Sequence, residues 1–408
     1  MHVIRSRKML VLENLLKINR VLTGLDCIEL EKWKRLKGHR IGLLANQASV
    51  NHNLSTASEV IARLFPGQLK ALLGPQHGYG GEDQDNMVET PHSHDEKLKI
   101  PIFSLYAESR LPASAMLDLI DTLIIDLQDV GTRVYTFAST MLNCLKAAAK
   151  YGKRVIILDR PNPLGGDVVE GNLVQPELYS FVGPCSLPMR HGLTIGEMAR
   201  IFNHLFEFDC DLEIIPMRGW QRNMLWDQTG LRWTMPSPNM PLSQTAQVYP
   251  GQVIWEGTNL SEGRGTCRPF EIFGAPFLDT KAIKKMLDPG ASAGCYLQEY
   301  QFRPTFHKWA GKLCHGFLIH ILEPNAYHPY YTSLALLQAI MELHGRDFAW
   351  KQPPYEYEYK KKPIDLIMGN SSLRRSLESG KPLPLIREDW LSELESYVNW
   401  RRPYLLYP

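Results

Sequence analysis

Ionisable side chains recur in this chain at one kind of position, directly after a short apolar run. The most distinctive segment is Gly74-Pro75-Gln76-His77-Gly78-Tyr79-Gly80-Gly81-Glu82-Asp83. There His77 and Glu82 can face a cleft as acid and base groups, or serve as loop residues bonded to backbone. Asp126-Leu127-Gln128-Asp129-Val130-Gly131-Thr132-Arg133-Val134-Tyr135 puts carboxylates at a strand end and a guanidinium just beyond. Asp159-Arg160-Pro161-Asn162-Pro163 stiffens an acid and a base with prolines, which suits a preorganised contact or an internal ion pair. In the second half, Glu256-Gly257-Thr258-Asn259-Leu260-Ser261-Glu262-Gly263-Arg264 alternates small residues with polar ones. It leaves little side chain for a core and therefore reads as a binding loop. Arg133, Arg160, Arg190 and Arg264 carry the forked donor that suits a carboxylate or a phosphate.

The elements that must position these groups alternate. Strands are expected at 40–45, 69–73, 102–106, 122–126 and 154–159. Helices are expected at 56–64 with Ser55 as N-cap, from near Pro112, at 139–150 with a stop at Gly152, and at 194–206 with Glu197 as capping-box partner of Thr194. Near-continuous apolar strands separated by helices imply a parallel sheet covered on both faces, a Rossmann-like doubly wound α/β domain. Ligands bind such sheets beyond the carboxyl ends of the strands. That is where Asn46, His77, Asp126, Asp129, Asp159 and Arg160 fall. The expected division is an N-terminal extension at 1–25, the Rossmann-like domain at 26–207, and a smaller α/β domain at 208–408, with the cleft between them. The second half offers a strand at 316–322, helices at 333–343 and 391–400, and an aromatic, basic stretch at 355–362.

Composition narrows the partners. Across 408 residues, 45 Lys and Arg balance 43 Asp and Glu, which gives no electrostatic footprint for nucleic acid or an anionic membrane. No run approaches the ~20 apolar residues of a membrane span. The basic start, Met1 to Lys8, is followed by an apolar run broken by Glu13, so no secretory core forms and a cytoplasmic location is expected. The seven cysteines are scattered, with no CxxC pair, which argues against a disulfide framework or a zinc knuckle. No GxGxxG follows the first strand, and there is no P-loop or HExxH, so no cofactor is indicated. His77, Asp83, Asp85, His92 and His94 match no zinc spacing, and no metal is expected.

Taken together, several stretches resemble the exo-β-N-acetylmuramidase family of glycoside hydrolases, long catalogued as a domain of unknown function. They are Gly42-Leu43-Leu44-Ala45-Asn46-Gln47-Ala48-Ser49, the Gly74–Gly81 loop, the segments after Asp126 and Leu158, Arg190-His191-Gly192-Leu193-Thr194-Ile195-Gly196-Glu197, Pro236-Ser237-Pro238-Asn239 and Glu256-Gly257-Thr258-Asn259. The resemblance implies release of terminal N-acetylmuramic acid from the non-reducing end of peptidoglycan fragments, with the arginines suited to the lactyl carboxylate. It also implies sugar contacts from Asn46, Asp129, Arg133, Tyr135, Asp159, Arg160, Asn162, Arg190, His191, Asn239, Glu256, Asn259, Glu262 and Arg264. One departure stands out. Family members look like Gly-Pro-Glu-His-Gly, with the glutamate as favoured acid, whereas this chain has Gln76. An amide cannot exchange a catalytic proton as a carboxyl does. The expected replacement is Glu82, with Asp126, His77 and Gln76 around it. Asp126 paired with Glu82 or Glu256, a sugar-binding protein without hydrolysis, and a metal-dependent hydrolase using His77, Asp83 and His92 are the alternatives.

Overall fold

The structure is a computed structural model and describes residues 20–31, 33–85, 87–107 and 109–408. The basic start of the chain, on which the expectation of location rested, lies outside the described residues.

Seven strands form the first sheet: β1 (Ile41–Leu44), β2 (Leu69–Gly74), β3 (Ser93–Asp95), β4 (Ile100–Ser104), β5 (Thr122–Ile125), β6 (Arg154–Leu158) and β7 (Leu212–Ile215). Their order is β3-β4-β2-β1-β5-β6-β7. All neighbours pair in parallel except β3, which is antiparallel to β4. With that edge strand set aside, the order is the 3-2-1-4-5-6 of a doubly wound dinucleotide-binding sheet. Every residue of β1 and β5 is buried, which is why these strands read as unbroken apolar runs rather than alternating ones. The strand expected at 102–106 starts at Ile100, because β3 pairs with its first residues.

The helix Ala57–Leu64 is capped by Thr56 and not by the expected Ser55: the Thr56 hydroxyl takes the Glu59 N–H, and the Glu59 carboxylate answers the Thr56 N–H. The same reciprocal box, Thr194 with Glu197, opens the helix Ile195–Leu205 as expected. The expected boundary at 207/208 falls inside the sheet, since β7 pairs with β6 along its length. The N-terminal division also shifts, as Val21, Leu22 and Leu25 are buried core residues and not part of an extension.

A second, three-stranded antiparallel sheet has the order β8-β10-β9, with β8 (Ile272–Ala275), β9 (Cys295–Phe302) and β10 (Cys314–Ile321). The helix Pro329–His344 belongs to this half. One continuous hydrophobic core joins the halves, running from Leu44 and Ile125 to Phe273, Phe317 and Leu337. The C-terminal segment returns to the first half, where the Tyr407 hydroxyl donates to Asp159 at 2.5 Å and Arg401 donates to the carbonyls of Gly166 and Gly192. Among the described residues, no helix is long and apolar enough to cross a membrane.

Candidate active site

A cleft opens at the carboxyl ends of the first sheet, where the second half closes over it, with about 450 Å³ of unfilled space including its mouth. From the first half come Gln76 and His77, just beyond β2, then Tyr135 and Thr136 beyond β5, and Ser237 and Asn239 from the proline-rich loop. The second half contributes Tyr249, Glu256, Arg264, Phe270, Tyr355 and Glu356.

Two carboxyl groups face this space. Glu256 pairs with Arg264 at 2.7 Å and accepts the Tyr355 hydroxyl at 2.7 Å. Arg264 in turn lies 3.2 Å from Glu262, donates to the Gln84 carbonyl at 3.1 Å, and sits 5.3 Å from the centre of the Phe270 ring. Burial acts against the Arg264 charge, but Glu256 and Glu262 outweigh it and hold the guanidinium protonated. Behind it, Glu262 also meets Lys308 at 2.9 Å and His307 at 3.2 Å; burial opposes its charge, yet the Lys308 charge, the His307 hydrogen bond and Arg264 keep it well below the usual carboxylate range.

Glu356 is the second. Its Oε2 accepts the Tyr106 hydroxyl at 2.7 Å and its Oε1 the Gln76 amide at 3.2 Å. The Gln76 amide also reaches the Tyr106 oxygen at 3.1 Å, and Thr136 donates to its carbonyl oxygen at 2.6 Å. Burial pushes the Glu356 carboxyl up, against the Tyr106 hydroxyl, Arg110 and Gln76, and the negative charge of Glu256 adds to the rise. Glu356 sits on a two-residue hairpin: Tyr355 and Glu358 exchange backbone hydrogen bonds of 3.0 and 2.9 Å, while Glu356 and Tyr357 have φ of 46° and 64°. Positive φ at both central residues is the signature of a type I′ turn, normally made by Asn and Gly. For larger side chains each such residue costs of order 1–3 kcal/mol.

His77 has φ 75° and its Nδ1 stands 2.6 Å from the Asp83 carbonyl. A carbonyl only accepts, so Nδ1 carries the proton and Nε2 is left as the acceptor. Burial pushes the imidazole down to about 4, so it is neutral near pH 7.

Six of the sequence candidates therefore meet in the cleft: Gln76, His77, Tyr135, Asn239, Glu256 and Arg264. The others do not line it. Glu82 is exposed and folds back over the glycine turn, so that a methyl on Gly78 would lie 2.8 Å from its carboxylate. The structure therefore does not bring it into the cleft, where it was expected as the replacement acid. Asp126 is sealed in an ion pair with Arg160 at the sheet's switch point, with a second contact of 2.8 Å, while Arg160 also reaches the Val50 carbonyl. Arg133 spends its guanidinium on the carbonyls of Asn172, Leu187 and Ile367. Arg190 donates to the Leu164 carbonyl at 2.5 Å. Asp159 ties the Thr194 hydroxyl, the Gly196 N–H and Tyr407 together. Asp129 takes the Gly131 N–H and faces His191 at 3.3 Å. Asn46 donates to the Pro236 carbonyl, Asn162 to that of Leu193, and Asn259 to that of Asp347. Gly290-Ala291-Ser292-Ala293-Gly294 spells G-x-S-x-G but follows a helix and forms a 3₁₀ turn before β9, so it is no nucleophile elbow.

Missed from the sequence were Glu356, Tyr355, Tyr249 and the supporting Tyr106. The aromatic stretch at 355–362 carried the only hint, since an acid between tyrosines in a loop is a poor core former.

Residues 41–244 match the family described as exo-beta-N-acetylmuramidase NamZ, N-terminal, and residues 247–407 match its C-terminal counterpart. This chain belongs to the NamZ family. A curated relative, the peptidoglycan beta-N-acetylmuramidase NamZ of Bacillus subtilis, is 38% identical over 388 residues, covering 95% of this chain and 92% of the relative. Crystal structures of two DUF1343 family proteins from Bacteroides fragilis share the fold. One has a TM-score of 0.86 at 29% identity and the other 0.73 at 28%, each covering 95% of this chain and 99% of its own. The two NamZ regions meet at the cleft: Gln76, His77 and Asn239 come from the first, Glu256, Arg264 and Glu356 from the second.

Proposed function

We propose that this protein is a glycoside hydrolase that removes terminal N-acetylmuramic acid from the non-reducing end of peptidoglycan fragments. The observation that carries the reading is the pairing, in one cleft between the two NamZ regions, of two buried carboxyl groups with the guanidinium of Arg264. Carboxyl groups are what glycosidic bond cleavage requires. Arg264, held by Glu256 and Glu262, puts a positive charge at the cleft wall of the sign a lactyl carboxylate calls for, and N-acetylglucosamine lacks that carboxylate. Tyr249, Tyr355 and Phe270 give the apolar faces on which a pyranose ring rests. We place the reaction in the cytoplasm, on imported wall fragments, in keeping with seven free thiols, six of them buried.

The test is hydrolysis of a chromogenic N-acetylmuramic acid β-glycoside beside the N-acetylglucosamine analogue. Turnover of the muramic substrate, and not of its analogue, is expected. Binding without turnover of either would replace this reading with that of a sugar-binding protein.

A further inference from the structure

The cleft contains a built carboxyl device that only the aromatic stretch at 355–362 hinted at. Glu356 is buried, and its carboxylate is held at both oxygens by neutral donors, Tyr106 at 2.7 Å and Gln76 at 3.2 Å. Among the described residues, no lysine or arginine forms an ion pair with it. Arg110, whose charge acts on this carboxyl, is turned to the backbone instead: both terminal guanidinium nitrogens reach the Glu356 carbonyl at 3.3 Å. Arg110 is itself wedged against the Tyr357 and Phe181 rings at 4.0 and 4.3 Å. The arrangement fixes the hairpin's main chain while leaving the side-chain acid with two hydrogen-bond donors and no direct ion pair. A hairpin tip built on two non-glycine residues in left-handed conformation is retained where the surrounding structure over-determines it, which is typical of functional sites. Gln76, the other polar group at this spot, can hold a proton donor in place but cannot be one.

Resting on the glycosidase reading above, we propose that Glu356 is the catalytic acid of this enzyme, with Gln76, Tyr106 and Arg110 as its positioning residues. Glu356 gives its proton to the glycosidic oxygen as the bond from that oxygen to C1 breaks. The bonding pair stays with the oxygen, and the leaving sugar departs as a neutral alcohol. Water forms the new C1–O bond, and the proton it releases balances the one given up by the carboxyl. The upward push that burial exerts on the carboxyl favours the protonated form this step needs.

The decisive experiment compares two leaving groups in Glu356→Gln. A catalytic acid matters for a sugar alcohol, which leaves badly without a proton, and much less for 2,4-dinitrophenolate. The variant should lose at least about 100-fold in kcat/KM on the N-acetylmuramyl-N-acetylglucosamine disaccharide, and less than about 10-fold on 2,4-dinitrophenyl N-acetylmuramide. Equal losses on both substrates, or an undiminished rate on the disaccharide, would overturn the proposal. Wild-type protein inactive on both would instead overturn the glycosidase reading. Should Glu356→Gln fail to give a cooperative melt, Tyr106→Phe serves. It removes one of the two donors that favour the ionised carboxylate, leaving Gln76 beside it, Glu256 across the cleft, Tyr357 on the hairpin, and Arg110 packed against that hairpin. The alkaline limb of the disaccharide pH profile should then move upward, and an unmoved limb would count against Glu356.

Discussion

The side-chain amide of Gln76 lies 3.2 Å from a carboxylate oxygen of Glu356, a residue 280 positions further along the chain. A glutamate at position 76 would bring two carboxyl groups into hydrogen-bond contact, and at that distance both cannot ionise easily. Gln76→Glu should therefore retain activity but release the second proton of the pair only at higher pH. We expect its alkaline limb to move upward, and its thermal midpoint to fall more steeply than wild type between pH 6 and 9. Rate profiles and melts across that range check both.

Asp126 and Arg160 meet with essentially no exposure to solvent, and burial pushes the Asp126 carboxyl up even beside its partner. Asp126→Asn leaves a buried guanidinium unpaired, which costs about 3–5 kcal/mol. Denaturant midpoints should record that loss. The folded fraction should keep the wild-type preference between sugars, because the pair lies outside the cleft.

Arg264 is the test of substrate identity. Lysine keeps the charge that Glu256 and Glu262 require but loses the fork. A hydrogen bond to a charged group contributes about 1.5–3 kcal/mol, so Arg264→Lys should reduce the preference for the muramic over the N-acetylglucosamine glycoside by roughly 10–100-fold. A ratio of kcat/KM values measures it. An unchanged ratio would assign the lactyl group to another contact.

Glu170 is buried, accepts the Tyr331 N–H at 2.9 Å, and is pushed by burial up to about 7 from an ordinary 4.5. Between those values the folded state holds the proton that the unfolded state releases, so this group's contribution is full below pH 4.5 and is lost as the pH rises through about 7. The amount is at most about 3 kcal/mol. His77 works in the opposite sense: held down to about 4, it adds stability as the pH rises from 4 to its ordinary 6.5. Measuring Glu170→Gln against wild type isolates the first effect. The wild-type midpoint should fall relative to the variant from pH 5 to pH 8.

The sequence by itself determined the sheet, because strands buried on both faces must be apolar throughout and helices between them need caps. It placed five of the seven strands and the Thr194–Glu197 box, and it located the ligand edge, since all parallel strands end on one side. It also marked the loop at Gln76-His77 and the segment at Glu256–Arg264 as chemistry-bearing. Only the tertiary structure decided which of the polar residues on that edge are free to act. Asp126, Arg133, Asp159, Arg160 and Arg190 looked like ligand contacts by type and place. They are committed instead to one another's loops, where burial leaves backbone carbonyls and charges that have to be matched. The acid opposite Gln76 was equally out of reach of sequence reading. Its place in the cleft depends on a hairpin whose conformation no local preference of Glu or Tyr favours, and which the packing of Arg110 between aromatic rings imposes from elsewhere in the chain.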